Sequence, residues 1–550
     1  MVANGVRNDT RNNSISGVFT NETRIPNNDG PADYEKAIAA TGFGTYNIVL
    51  LLATIPAGLA SNFDVTTAAF ILASAECDLE LTLIRKGALV SAVYIGMIVS
   101  SFFWGFLTDN ASRKPFFILG LLADVCCNIL STTVDSYQFF FLIKFITGTI
   151  VSGPFALLVP YLAEFQPLSR RAKFVGWTGF IYGFGNIIPA FIGAIVLPMA
   201  SLSFTVFDHS FNVWRIYILI CTTPAILGLV TMSFLPESPK QLMNNGQTEE
   251  ALELMRKMYA MNTGNPRETF PIKSIVADTK SMMDRNKSNF EKIRDSWIDF
   301  KTLTQSPYLG TFFVISFLQF GSMLGFNTMR LWVPHMFMII NNFDYTLWDW
   351  SRGMPTMCEM LIPGVVPPGL DDPTIYANIT DTCIRWRINP IIYVNSTIIA
   401  ASAVGFSFFI VRQLDTRIKK KAILLAGFVI GTISGFGANW AQLVPIILCL
   451  CSSIAVVSRI TGNIVIAINA TVIPAQLRAT STSFVTMIGS LGTVVGNLIW
   501  STLLGLDCVV ALMWIGSSLL LCVFVALFAL KPPTELPEPE PDEPKMVTRF

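Results

Sequence analysis

The chain has 550 residues, of which 52% are hydrophobic and 14% charged, with a formal net charge of +1 and a mean hydropathy of +0.54. A soluble domain carries about 25% charged residues, so this composition argues against a water-soluble enzyme, and the near-neutral balance gives no sign of nucleic-acid binding. Apolar runs of roughly 20 residues, each able to cross about 30 Å of hydrocarbon, recur about twelve times from Tyr46 to Leu530. Lipid offers no hydrogen-bond partner, so each run must be a helix.

Residues 1–42 are polar and hold no short apolar core with a cleavage site, which predicts a cytosolic tail and no signal peptide. The first half, 43–235, predicts spans near 46–73, 88–108, 115–134, 139–162, 173–198 and 213–235. Between its second and third spans lies the polar turn Gly105-Phe-Leu-Thr-Asp109-Asn-Ala-Ser-Arg113-Lys114. Glu164 with Arg170 and Arg171 follows the fourth span, and Glu237 stands in Pro236-Glu-Ser-Pro-Lys240 after the sixth. Arg113 and Lys114 can pair with such carboxylates and latch the helix ends until the helices tilt. Plain retention of basic residues on the cytosolic side explains the same charges.

Residues 236–307 form a polar linker. In it Thr248 can cap a helix with Ala251, Leu252, Met255, Met258 and Tyr259 on one face, lying on the membrane's inner surface or under the bundle. A second, more charged helix is expected within 274–303.

The second half, 308–530, predicts spans near 308–340, 389–413, 421–439, 443–470, 480–505 and 508–530. Its outer loop, 341–388, holds the glycosylation sequon Asn378-Ile-Thr380. It also holds Cys358 and Cys383, a disulfide if the loop is extracytosolic, with Cys77 as a competing partner. Asp415-Thr-Arg417-Ile-Lys419-Lys420-Lys421 is a degenerate copy of the first polar turn, and two copies of one hairpin suggest a protein made of two similar halves. Residues 531–550 are acidic and proline-rich, the composition of a disordered cytosolic tail. Basic residues in the short loops put both termini in the cytosol, in either the plasma membrane or a vesicle.

Charges inside spans are costly and usually face a cavity. Asp64 in span 1, Arg330 in span 7 and Arg459 in span 10 stand out, and a structural ion pair would explain them as well as a solute site. Lys144 and Asp124 read as structural, Trp332 as an interface anchor or a pocket residue, and Asn463 as helix–helix glue or a ligand contact. No Walker-type phosphate loop, CxxC pair or nucleophile triad occurs, so ATP-driven pumping, metal sites, cofactors and enzymatic chemistry are not expected.

The polar turn, the Glu164/Arg171 pair and the Pro236–Lys240 segment together resemble the major facilitator superfamily, particularly its sugar-porter-like branch. Gly105, Asp109, Arg113 and Lys114 match the superfamily's loop 2–3 motif, with Ser112 in place of its second glycine, and Lys144 stands where the superfamily often has arginine. Leu72-Ala-Ser-Ala-Glu76-Cys-Asp78, Tyr161-Leu-Ala-Glu164-Phe165, Trp214-Arg215-Ile-Tyr217 and Leu235-Pro-Glu-Ser-Pro-Lys240 narrow the resemblance to the synaptic vesicle glycoprotein 2 family, over nearly all of 35–530.

The departures are specific. Ser61 and Asp64 stand for an Asp and a Glu, Tyr182 for a tryptophan, Gly462 and Ile466 for a Trp and an Asp, and Thr471 for the carboxylate before Pro474. The resemblance implies an all-α polytopic fold of two six-helix bundles with spans 1, 4, 7 and 10 around a central cavity. It implies secondary transport of a small polar organic solute by alternating access, with proton coupling open. Asp64, Tyr182, Arg330, Arg459 and Asn463 would face the solute. Gly105, Asp109, Arg113, Lys114, Glu164, Arg171, Glu237, Asp415 and Arg417 would form the gate. The alternative is a non-transporting vesicle or surface glycoprotein that uses the same fold as an interaction module.

Overall fold

The computed structural model describes residues 32–110, 113–206, 209–276, 289–343, 345–346, 348–361, 389–412, 417–474 and 477–529. Among them twelve helices are long and apolar enough to span a bilayer. In the first half these are Thr45–Phe70, Leu83–Ser101, Lys114–Ser131, Tyr137–Ala163, Leu168–Val196 and Val213–Phe234. In the second half they are Leu309–Asn341, Pro390–Ile410, Lys419–Trp440, Val444–Val472, Thr480–Leu506 and Cys508–Ala529. They are called spans 1 to 12 below. Side chains such as Phe139, Phe191, Phe313, Phe406 and Ile433 point away from the protein, as helices bathed in hydrocarbon require.

The bundle has two unlike ends. One, the basic face, carries the turns after spans 2, 4, 8 and 10 and the linker. The other, the disulfide face, carries a bond between Cys358 and Cys508. This corrects the expected pairing of Cys358 with Cys383, which lies outside the described residues, as do Asn378 and Asp415. Cys508 opens span 12 right behind Asp507, whose carboxylate accepts from the Val509 amide and caps the helix. That cap brings the thiol to the short helix Met357–Leu361, where Cys358 sits. Cys77 is itself in a disulfide.

Close helix approach depends on glycine. A Cβ on Gly148 of span 4 would sit 2.1 Å from the Val93 carbonyl oxygen of span 2, and one on Gly96 would sit 2.2 Å from that of Phe145. Gly492 of span 11 meets span 7 in the same way, 2.3 Å from the Phe320 carbonyl oxygen. Span 5 is interrupted by a 3-10 turn at Phe184–Asn186, and span 6 breaks at Thr222 just before Pro224.

In the linker, the helix Thr248–Thr263 forms with Gln247, not Thr248, at the capping position, and ends at Gly264 with φ of 77°. Its face of Ala251, Leu252, Met255 and Met258 is buried beneath the first half. Asn262 ties it there: its side-chain oxygen accepts from the Tyr46 amide at 3.0 Å, and its amide donates to Asn47 Oδ1 at 2.9 Å. A second helix, Asn289–Leu303, stacks Phe300 on Phe484 of span 11 at 4.3 Å between ring centres.

Candidate functional site

Two polar clusters occupy the membrane interior. The first joins spans 1, 3 and 4. The Asn128 amide donates to Asp64 Oδ1 at 2.7 Å and to Asp124 Oδ1 at 2.9 Å, while Lys144 Nζ donates to Asn128 Oδ1 at 2.9 Å. All four side chains are buried. Among the described residues each carboxylate keeps one oxygen without a hydrogen-bond partner, and the Asn128 amide ties the two carboxylates together. Asp64 therefore does not pair with Arg330, as a bridge between halves would require; its partners are in its own half. Asp124 and Lys144, read from sequence as structural, belong with it. They lie near one helical turn of Asn128 on one side and a neighbouring span on the other, a placement that single-span patterns do not reveal.

The second cluster bridges the halves. Arg330 of span 7 donates through Nη1 to Thr66 Oγ1 of span 1 at 3.0 Å and to Asn186 Oδ1 of span 5. Through Nη2 it donates to the Tyr94 hydroxyl of span 2 and to Asn327 Oδ1, both at 3.3 Å. Tyr94 in turn donates to Asn327 Oδ1 at 3.0 Å, and Asn327 to Thr493 Oγ1 of span 11 at 2.8 Å. The ring of Phe326, one turn from Arg330, has the Arg330 guanidinium carbon 5.3 Å from its centre and that of Arg459 from span 10 at 5.1 Å. Thr66, Tyr94, Asn186 and Phe326 carry no charge, so nothing in the sequence marked them.

The remaining candidates divide. Asn463 donates to Ser407 Oγ of span 8 at 2.5 Å and is partly buried, a helix-to-helix bond inside the second half. Tyr182 is 3% exposed, its hydroxyl bonded to Thr54 Oγ1 at 3.3 Å and its ring against Gly58. Trp332 is not an interface anchor; it is fully buried and donates to Asn497 Oδ1 at 3.1 Å.

At the basic face, Glu164 accepts from Ser238 Oγ at 2.5 Å, and Tyr161 donates to the Pro236 carbonyl at 2.7 Å, so the Pro236–Lys240 segment is fastened to the end of span 4. Arg171 donates to Glu35 at 3.0 Å and to the carbonyls of Ala163 and Gln166, rather than to Glu164. Glu237 lines a separate cavity of about 500 Å³ against the linker helix, with Leu242, Asn245 and Glu250. Helices run through Gly105 and Asp109 and restart at Arg113, with Lys114 following. Arg417 likewise starts span 9's helix.

On the disulfide face, Lys86 is 2% exposed and bonds Glu76 at 2.8 Å and His335 Nε2 at 2.7 Å. The segment Trp214-Arg215 is held in the same region: Trp214 Nε1 donates to Asp78 at 2.6 Å, and Arg215 to Asp135 at 2.5 Å.

Comparison with known proteins agrees with this architecture. A family described as "Sugar (and other) transporter" matches residues 50–340. Synaptic vesicle glycoprotein 2C of Rattus norvegicus is 25% identical over 346 residues, 59% of this chain and 47% of that protein. Synaptic vesicle glycoprotein 2B of Homo sapiens is 25% identical over 335 residues, 57% of this chain and 48% of that protein. The chain thus spans about half the length of the curated relatives it matches. In three dimensions it is similar to the inward open conformation of the xylose transporter XylE from E. coli, with a TM-score of 0.59 and 16% identity over 89% of this chain and 97% of that one. It is also similar to a point mutant of the nucleoside transporter NupG, with a TM-score of 0.56 and 11% identity over 91% of this chain and 100% of that one.

Proposed function

The chain belongs to the Sugar (and other) transporter family of the major facilitator superfamily, and from that premise we propose that it is a secondary transporter moving a small polar solute by alternating access, with a proton as the coupling ion. The observation that carries this reading is the Arg330 crossing: one cation of the second half is held inside the helix bundle by Thr66, Tyr94 and Asn186 of the first. Bonds of this kind break and re-form when two rigid halves rock about a central site. The proton would ride on the Asp64–Asp124–Lys144 cluster. Two carboxylates and one ammonium leave a surplus negative charge in a buried network, and a proton taken up by one of the two carboxylates cancels it.

The basic face is cytosolic in this reading, following the excess of Lys and Arg in its loops. The protein then sits in the plasma membrane or an intracellular vesicle with both termini in the cytosol. Glu164, Arg171 and the Pro236–Lys240 segment stabilise the cytosolic end of the first half, and Asp109, Arg113 and Lys114 act at the turn between spans 2 and 3.

The test is uptake into proteoliposomes, using a panel of radiolabelled solutes with and without an inward proton gradient. Asp64→Asn is expected to keep solute counterflow, which needs no net proton movement, and to lose gradient-driven accumulation. Undiminished accumulation by Asp64→Asn removes the cluster from coupling. Failure of every solute to show saturable counterflow removes transport itself.

A further inference from the structure

Arg330 and Arg459 place two guanidinium groups on one aromatic ring in the membrane interior, so their carbons are no further apart than the sum of the two ring distances. Neither has a carboxylate within ion-pair distance among the described residues. Among the described residues Arg330 is anchored by neutral acceptors alone, and its buried Nε has no partner. Arg459 makes no hydrogen bond among the described residues, yet it lies beside Phe326, deep in the bundle. The acids of this region, Asp64 and Asp124, are engaged elsewhere, with Asn128 and Lys144.

Leaving one ionised group uncompensated inside a membrane protein is costly, and a structural role is normally met by an opposite charge nearby. Here two like charges are held together instead. Among the described residues Arg330 is fixed by its cage without being neutralised, and the Arg459 donors find no acceptor. Planar guanidinium groups are suited to binding a carboxylate or another oxyanion through paired N–H donors. The geometry points to an organic anion as the transported solute, its anionic group clamped between Arg459 and the free Nε edge of Arg330. This deepens the transporter reading and rests on it. It is also compatible with the proton cluster: an anion and a proton that cross together move no net charge across the bilayer.

The experiment uses the full chain, purified in detergent and reconstituted in parallel. The probes are benzoate and L-lactate, their neutral counterparts benzamide and lactamide, and the cation benzylamine. A saturable rise in melting temperature is expected with at least one carboxylate at millimolar concentration, and none with its amide or with the amine. Arg459→Gln is expected to weaken that carboxylate by about tenfold or more, the loss of one charge-assisted contact. Arg459→Lys, which keeps the charge but not the fork, should fall between, and it serves if the glutamine variant does not fold.

The assignment is overturned if neither carboxylate shifts melting, if an amide shifts it as much as its acid, or if the Arg459 variants bind the carboxylate like the parent. Counterflow in the liposomes separates the two readings. Carboxylate binding without flux keeps the anion site and removes transport, whereas saturable D-xylose counterflow without carboxylate binding keeps transport and removes the anion site.

Discussion

Lys86 shows how a single side chain can contradict a sequence rule and still be explained. It sits on the disulfide face, where the bias of basic residues would not place it, and it is 2% exposed. Glu76 and His335 hold its ammonium, and Glu76 keeps 23% of its side chain exposed. The two partners are therefore unequal. Glu76→Gln strands a buried ammonium, and loss of one partner of a buried pair costs about 3–5 kcal/mol. Lys86→Met leaves Glu76 within reach of water and His335 short of one partner, so its cost should be smaller, about 1–3 kcal/mol. The expected order of melting temperatures is parent, then Lys86→Met, then Glu76→Gln, with the double variant close to Lys86→Met. Additive losses would mean that the two side chains do not act as a pair. The same logic separates what sequence reveals at this scale. Asp64, Arg330 and Arg459 are visible because a charge in an apolar run is conspicuous. Asn128, Thr66, Asn186 and Tyr94 are not, because uncharged polar residues occur in spans for many reasons. The Cys358–Cys508 bond was equally hidden, since it depends on which helix start comes to lie beside the loop.

At the scale of elements, the twelve spans were legible because hydrocarbon demands long apolar runs, with bounds off by up to seven residues at span 2 (88–108 expected, Leu83–Ser101 observed), and the linker helix because its apolar positions share one face. The breaks in spans 5 and 6 and the short hairpin of Phe204–Val206 with His209–Phe211 were not, because they are set by neighbours rather than by composition. Glycine's role also divides by position. Gly148 meets a backbone oxygen of span 2, which cannot swing aside, whereas Gly179 of span 5 has nothing within 4 Å of where a Cβ would stand. Close packing therefore does not explain Gly179. Gly148→Ala should cost about 1–3 kcal/mol as spans 2 and 4 are forced apart, read as a lower melting temperature. Gly179→Ala should leave melting unchanged or raise it, through the roughly 1 kcal/mol by which alanine favours a helix over glycine. Equal losses at the two sites would remove the span 2–span 4 approach as the explanation.

For the whole molecule, the contacts between halves are not evenly distributed. The hydrogen bonds that cross between them among the described residues run from the Arg330 cluster toward the disulfide face: Arg330 to Thr66, Tyr94 and Asn186, Tyr94 to Asn327, Lys86 with His335, and Tyr393 to the Phe70 carbonyl at 3.5 Å. Gly87 of span 2 is pressed against Ser501 of span 11 at the same end. Span 8 packs mainly on Ile188–Val196, the part of span 5 toward the disulfide face, and only lightly on Leu168–Gly183. Toward the basic face the gap between them is bridged by long aromatic side chains, with Phe408 4.3 Å from Phe180 and 5.2 Å from Trp177 between ring centres. If the described hydrogen bonds between the halves act as a seal, water should enter from the basic face only. Asn463, partly buried and nearer the basic end of span 10 than Arg459, reports on that side. With the free cysteines Cys126, Cys127, Cys221, Cys449, Cys451 and Cys522 replaced by alanine, Asn463→Cys should react with a membrane-impermeant maleimide applied to the basic face and resist it from the disulfide face. Added solute should slow the reaction, because a bound solute favours closure around itself. Equal reaction from both faces would mean that the bonds around Arg330 and Lys86 do not form a seal, and rocking about them could not then alternate access.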